Sequence, residues 1–254
     1  MATDAASETM IDISVVVPVR DEADNVAPLI AEIRAALDPL ARPYEIIYVD
    51  DGSGDGSEAC VAAAGSEPGA PVRCIAHGAN YGQSAALWTG ISEARGAIIA
   101  TLDGDGQNDP ANIPLLLDKL EAGDDPARRL VIGHRANRRD NALRKLSSRV
   151  ANTVRSRLLG DDTPDTGCGL KVFRRDLYLS LPYFDHMHRF LPALVLREGG
   201  AVVSVPVHHR PRERGRSKYG VGNRLWAGIV DLLGVMWLKR RGRRPASEDL
   251  ARGS

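Results

Sequence analysis

Asp103, Asp105 and Asp109 stand close together in ATLDGDGQNDP (Ala100 to Pro110), alternating with Gly104 and Gly106 and accompanied by Gln107. Carboxylates this close repel one another, and a shared divalent cation relieves the repulsion. Oxygen ligands on a loop loosened by glycine suit Mg²⁺ or Mn²⁺ holding a substrate diphosphate. Taken alone, the loop is equally readable as a polar turn that caps the helix after Pro110. A second acidic group, Asp50, Asp51 and Asp55, lies in VDDGSGDGS (Val49 to Ser57). An acidic residue at such a place can accept hydrogen bonds from a ribose or a base, but it cannot cradle a phosphate unaided.

Both acidic groups terminate apolar runs, Tyr44 to Val49 and Ala97 to Leu102. Strands of that kind deliver their terminal residues to the edge of a sheet where open α/β folds bind ligands. The surrounding pattern supports this. β-rich runs at Ile11 to Val19, Tyr44 to Val49, Val72 to Ala76 and Ala97 to Leu102 alternate with helical segments at Asp24 to Leu37, Ser57 to Ala64, Gly82 to Ala94 and Pro110 to Glu121. Such alternation predicts an α/β fold with a mostly parallel sheet flanked by helices on both faces. A dinucleotide-binding domain needs G-x-G-x-x-G after its first strand, and here that strand ends in PVRDEADN. A calcium loop of the helix–loop–helix type lacks its flanking pattern.

The net charge is zero, yet residues 1–125 hold 22 Asp/Glu against 6 Lys/Arg, and residues 126–254 hold 11 against 27. The first half is suited to metal ions and the second to anions or an anionic surface. Base-stacking and groove-reading motifs are missing, so nucleic acid is not an expected partner. In the basic half, Asn141 to Leu159 has the stripe Leu143, Leu146, Val150, Val154 and Leu158. On such a helix Arg144, Ser148 and Arg155 fall within roughly 40° of one another, a face that could receive a phosphate or simply be solvated. Short strands are expected at Leu130 to Gly133, Gly169 to Phe173 and Val202 to Val207, with a helix at Arg189 to Arg197. His208 and His209, adjacent on a strand, point to opposite faces and are discounted as joint metal ligands. The basic loop that follows them, through Gly220, is suited to closing over a diphosphate.

Leu225 to Leu238 is the most apolar stretch, interrupted by Asp231 and followed by Lys239, Arg240 and Arg241. As a helix it spans about 21 Å, short of the roughly 30 Å of a bilayer core. It is read as a helix lying in an anionic membrane interface, with a buried or dimer-forming helix as the alternative. The expected organisation is therefore an α/β domain over 1–220, an amphipathic interfacial helix over 221–241 and a disordered basic tail over 242–254. Three cysteines without metal-type spacing and an N-terminus without an apolar run point to a reducing compartment and no secretory signal. Together these place the protein peripherally on the cytoplasmic face of the cell membrane, with a homo-oligomer possible.

In order along the chain, VVVPVRDEADN, VDDGSGDGS, NYGQSAAL, DGDGQNDP, RKLSSRVAN and RERGRSK resemble elements of the polyprenyl-phosphate sugar synthases of glycosyltransferase family two, the dolichyl-phosphate mannose synthase-like enzymes. The resemblance runs from about Val15 to Lys218. It implies a GT-A fold, Rossmann-like, as in nucleotide-diphospho-sugar transferases, with Mg²⁺ or Mn²⁺ as cofactor and two substrates, a nucleotide diphosphate sugar and a polyprenyl phosphate lipid. Pro18, Arg20, Glu22, Val49, Asp51, Asp103 and Gly104 would bind the nucleotide sugar. Asp105 and Gln107 would hold the metal, and Arg135, Arg144 and Ser148 the acceptor phosphate. Arg212 and Lys218 would close on the diphosphate, joining Asp103 and Asp105 as the catalytic set. DTGCGLKV departs from the more aromatic version in many relatives, and transmembrane helices after Lys218 are absent.

Chemistry then follows from charge. A lipid phosphate is already an anion at neutral pH, so its oxygen can attack the anomeric carbon, with inversion, without a general base. Catalysis rests on orientation and on stabilising the leaving diphosphate. Asp165, a possible base in relatives with hydroxyl acceptors, would be structural here. GDP-mannose is the favoured donor and UDP-glucose the next, with UDP-uronic or amino sugars close behind. Three rivals remain. A family-two transferase with a soluble or polysaccharide acceptor would need neither the Arg144/Ser148 face nor the apolar helix. A nucleotidyltransferase would want a glycine-rich basic signature after the first strand, and a non-catalytic membrane-binding module leaves both acidic strand ends unexplained.

Overall fold

The computed structural model describes residues 10–135, 155–211 and 222–241. Its centre is a seven-stranded sheet in the order β3-β2-β1-β4-β6-β5-β7. The strands are β1 (Ile13–Val19), β2 (Tyr44–Asp50), β3 (Val72–Ala76), β4 (Ile98–Thr101), β5 (Arg129–Arg135), β6 (Lys171–Arg174) and β7 (Ala201–Val207). All neighbouring pairs are parallel except the two that involve β6, which runs antiparallel between β4 and β5. β-branched side chains fit the pleated surface, and the central strands are apolar on both faces because both are covered.

Each face carries its own core. On one, α1 (Ala23–Leu37), α2 (Ser57–Gly65) and α4 (Ile113–Glu121) pack against the sheet. The α1 stripe of Val26, Leu29, Ile30, Ile33 and Leu37 recurs every three or four residues and is buried along its whole length. On the other face lie α3 (Gln83–Ser92), α5 (described over 155–159), α6 (Arg175–Ser180), α7 (Leu191–Arg197) and α8 (Gly222–Arg241). The helix expected as an interfacial one contributes Val235, which is 1% exposed, to this second core.

Several boundaries differ from expectation for identifiable reasons. The strand expected over Leu130 to Gly133 extends to Arg129–Arg135, because all seven residues pair with β7. The helix expected from Pro110 opens as a 3₁₀ turn, Pro110–Asn112, with the Asp109 carboxylate accepting from Ala111 N at 3.0 Å. That makes Asp109 an N-cap, the alternative role for an acidic residue of this loop. α6 has no counterpart in the sequence reading, since RDLYLS is too short to show periodicity.

Candidate active site

The strand order reverses direction between β1 and β4, because β1 leads to β2 on one side while β4 lies on the other. At such a switch point the two following loops diverge and leave a crevice at the C-terminal edge. Pro18 to Glu22 occupies one lip and Leu102 to Asp109 the other. The lips touch: a Cβ on Gly104 would lie 2.4 Å from Val19 Cγ1 and 3.1 Å from the Pro18 carbonyl oxygen. Only glycine allows that approach.

The β1 lip is held rigidly by the β2 loop. Asp21 adopts φ +49°, a conformation that aspartate tolerates better than most residues. Its N–H donates to Ser53 Oγ at 2.9 Å and its carboxylate accepts from Gly54 N at 2.6 Å. The N–H groups of Glu22 and Ala23 donate to Ser57 Oγ and the Asp55 carboxylate. Pro18, Arg20 and Glu22 are partly exposed along this lip. Val49 is fully buried in the second core, so any contact it makes with a ligand passes through its backbone.

Asp51 is 5% exposed, and its carboxylate is fully engaged. It accepts from Tyr81 N and Gly82 N at 2.8 Å each and from His77 Nδ1 at 2.9 Å, while His77 Nε2 meets Thr89 Oγ1. Here Asp51 positions the entrance to α3. That entrance presents Gln83, whose amide donates to Asp103 Oδ1 at 2.7 Å.

Asp103 is the focal carboxylate. Burial, and then the neighbouring charge of Asp105, push its pKa up to about 6, against the opposing pull of Lys171, Arg135 and Gln83. Gly169 lies directly against it, since a Cβ there would come within 2.3 Å of the carboxyl carbon. Thr101 Oγ1 pins the Gly169 carbonyl at 2.6 Å. Asp105 Oδ1 accepts from Gln107 N at 3.1 Å, and Asp103 N donates to Asn108 Oδ1 at 3.0 Å. Chain beyond β7 closes the loop from outside. Asn108 bridges His209, Arg210 N donates to the Gln107 carbonyl at 3.0 Å, and the Arg210 guanidinium joins Glu32 to Asp109. His208 turns to Asp109 at 3.3 Å. A cleft of about 110 Å³ opens here between α1 and the loop, lined by Asn25, Glu32, Asp105 and Arg210 among others. A larger groove, about 820 Å³, lies among Arg42, Tyr44 and Arg95 at the opposite edge of the sheet, away from these carboxylates.

The wall beneath Asp103 comes from β5 and β6. Arg135 grips Asp165 through two hydrogen bonds of 2.6 and 2.7 Å. Lys171 is 4% exposed, donates to the Cys168 carbonyl, and has its pKa lowered by burial. Lys171, Gln83, Asn108 and Arg210 were not singled out from sequence. A lysine in the apolar run GLKVF carries no periodic signal, and the other three act through contacts between distant loops. Arg144, Ser148, Arg212 and Lys218 lie outside the described residues.

Mostly parallel strands, helices on both faces and paired carboxylates at the switch point make up the GT-A arrangement of glycosyltransferases. Solved structures bear out the fold. Mannosyl-3-phosphoglycerate synthase from Rubrobacter xylanophilus superposes with a TM-score of 0.64 at 22% identity, covering 94% of this chain and 78% of that one. Glucosyl-3-phosphoglycerate synthase from Mycobacterium tuberculosis gives 0.65 at 22% identity, covering 93% and 82%. The chain belongs to glycosyl transferase family 2, whose model matches residues 14–181. It is similar to dodecaprenyl-phosphate galacturonate synthase of Rhizobium johnstonii, 38% identical over 92% of this chain and 69% of the relative. It is also similar to undecaprenyl-phosphate 4-deoxy-4-formamido-L-arabinose transferase of Yersinia enterocolitica, 37% identical over 85% of this chain and 64% of that one. The chain thus spans about two thirds of these relatives.

Proposed function

We propose that this chain transfers a glycosyl group from a nucleotide diphosphate sugar to a polyprenyl phosphate at a membrane surface, with inversion at the anomeric carbon. The observation that carries the proposal is the crevice between β1 and β4, rimmed by Asp103 and Asp105. The named acceptors of the similar synthases, dodecaprenyl and undecaprenyl phosphate, supply its lipid half. Mannose, first choice on the family resemblance, is not the sugar in either name. Galacturonosyl and modified pentosyl nucleotides therefore go first among candidate donors, ahead of GDP-mannose and UDP-glucose.

Pro18, Arg20, Glu22 and the backbone of Val49 form the nucleotide side of this proposed site, with Asp51 setting its floor and Asp103 and Gly104 beside the diphosphate. No cluster of three or more His, Cys, Asp or Glu side chains suited to a metal occurs among the described residues. Asp105 and Gln107, with Asp103 alongside, supply an incomplete set of oxygen donors. That fits Mg²⁺ or Mn²⁺, which complete their coordination with substrate oxygens and water. When bound, such an ion supplies charge neutralisation on the leaving diphosphate. Arg135, held by Asp165, lies beside the site, where with Arg144 and Ser148 it would meet the acceptor phosphate. Arg212 and Lys218 would close over the donor. Asp165 is committed to Arg135 and acts structurally, which suits an acceptor that needs no base.

Among the described residues no helix is long and apolar enough to cross a membrane. α8 nonetheless exposes Ile229, Val230, Leu233 and Trp237, at 42 to 61% exposure, on one side and ends in Lys239, Arg240 and Arg241. An apolar stripe with a basic end suits peripheral attachment to an anionic bilayer. The test is incubation of the chain with Mg²⁺ or Mn²⁺, undecaprenyl phosphate in vesicles and a panel of labelled nucleotide sugars that includes UDP-galacturonate and GDP-mannose. A lipid-extractable product from at least one donor is expected. None from any donor would defeat the reading.

A further inference from the structure

α8 is fastened to the domain at several points, and one of them leads to the active site. Val235 fills the second core, Arg197 Nε donates to the Leu238 carbonyl at 3.1 Å, and Lys239 Nζ donates to the Leu159 carbonyl. The remaining point is Asp231, the acidic interruption of the apolar stretch. Its Oδ2 lies 3.1 Å from His186 Nδ1. His186 has φ +62°, a left-handed conformation that costs a non-glycine residue free energy and must be held by its surroundings. It immediately precedes the 3₁₀ turn Met187–Arg189.

Within that turn His188 is 8% exposed. Its Nδ1 meets Ser84 Oγ at 2.7 Å, and its backbone N–H donates to the same oxygen at 3.3 Å. Ser84, fully buried, is the second residue of α3 and follows Gln83, which holds Asp103. A continuous series of packed, hydrogen-bonded groups therefore runs from the middle of α8 to the focal carboxylate. Asp231 is buried neither by the core nor by the exposed stripe; it faces the domain where this series begins.

We propose that the Asp231–His186 contact makes Asp231 a positioning residue: the seating of α8 fixes the turn Met187–Arg189, which through His188 and Ser84 sets Gln83 against Asp103. The inference rests on the transferase reading above, and it adds that the lipid-facing helix and the donor site are mechanically one unit. Spatial continuity alone does not establish coupling, so the test is a double-mutant cycle on the full chain. The assay contains Mg²⁺, undecaprenyl phosphate in phosphatidylglycerol/phosphatidylcholine vesicles and UDP-galacturonate, or the donor of the panel that turns over fastest.

Asp231→Ala is expected to lower kcat about five- to tenfold, since small displacements near reacting groups are amplified in rate. The KM for donor and co-sedimentation with vesicles should stay within about twofold of wild type. Asp231→Asn, whose amide oxygen still accepts from His186, should recover most of the loss. Ser84→Ala should lower kcat comparably, and the double variant Asp231→Ala/Ser84→Ala should be no worse than the weaker single. Full kcat in Asp231→Ala, losses that multiply in the double variant, or a fall in kcat that tracks loss of vesicle binding would each overturn the coupling while leaving the transferase reading intact. A wild-type chain inactive with every donor would remove both.

Discussion

A partly buried carboxylate beside another carboxylate is held at a disadvantage that a counter-charge relieves, and Asp103 is in that position. Its pKa stands at about 6 in the fold, above the ordinary value near 3.9 of an unfolded chain. The folded state therefore binds the proton more tightly than the unfolded state. Stability without metal should fall as pH rises from about 4 to about 6, and stay lower above that. Asp103→Asn keeps an acceptor for Gln83 and removes the charge. At pH 7.5 without metal it should be more stable than wild type by about 1–3 kcal/mol, measured by denaturant unfolding, and it should have lost turnover. In the wild type, the Mg²⁺ concentration needed for half-maximal activity should rise as pH drops through about 6, where a proton on Asp103 of the metal-free chain competes with the ion. Gly169→Ala tests the same carboxylate from behind. Its Cβ falls within 2.3 Å of the Asp103 carboxyl carbon, so the carboxylate must move, with an expected loss of about 100-fold in kcat.

At the scale of elements, α8 divides its residues between two environments, and substitutions on its two sides should have different consequences. Leu233→Glu or Trp237→Glu, on the exposed stripe, should weaken vesicle binding by at least about tenfold with little change in melting temperature. Val235→Asp places a charge in the second core and should lower stability by several kcal/mol, roughly 3 or more. Arg210 shows how magnitudes decide between roles. It is partly exposed and paired with Glu32 and Asp109, and such pairs are worth only about 0–1 kcal/mol. Arg210→Ala should thus hardly change stability. It should raise the Mg²⁺ concentration needed for half-maximal activity, because it releases the loop that carries Asp105. Strands β1, β2, β3 and β4 and the helices between them were readable because their apolar runs and periodic stripes are strong and local. The antiparallel course of β6 was not, since LKVFR reads alike in either direction and its partners lie about 40 and 70 residues away.

For the molecule as a whole, the acidic half builds the edge of the sheet that carries Asp103 and Asp105, and the basic half supplies Arg135 and Lys171 beside it, while the basic end of α8 is anchored elsewhere, at Arg197 and Leu159. The acidic strand ends and the cap at Asp109 could be read from residue types alone. The saturated carboxylate of Asp51, the wall of Gly169 and Lys171, and the latch of Arg210 could not, because each is created by loops brought together only on folding. In the proposed transfer to a lipid phosphate, Asp165 is structural and no base is required. The most direct measurement compares undecaprenyl phosphate with undecaprenol, at equal concentration in the same vesicles, using the best donor of the panel and Mg²⁺. Product is expected only with the phosphate, at a rate that does not rise with pH between 7 and 9. Comparable transfer to the free alcohol, or transfer only to a soluble sugar hydroxyl, would contradict it.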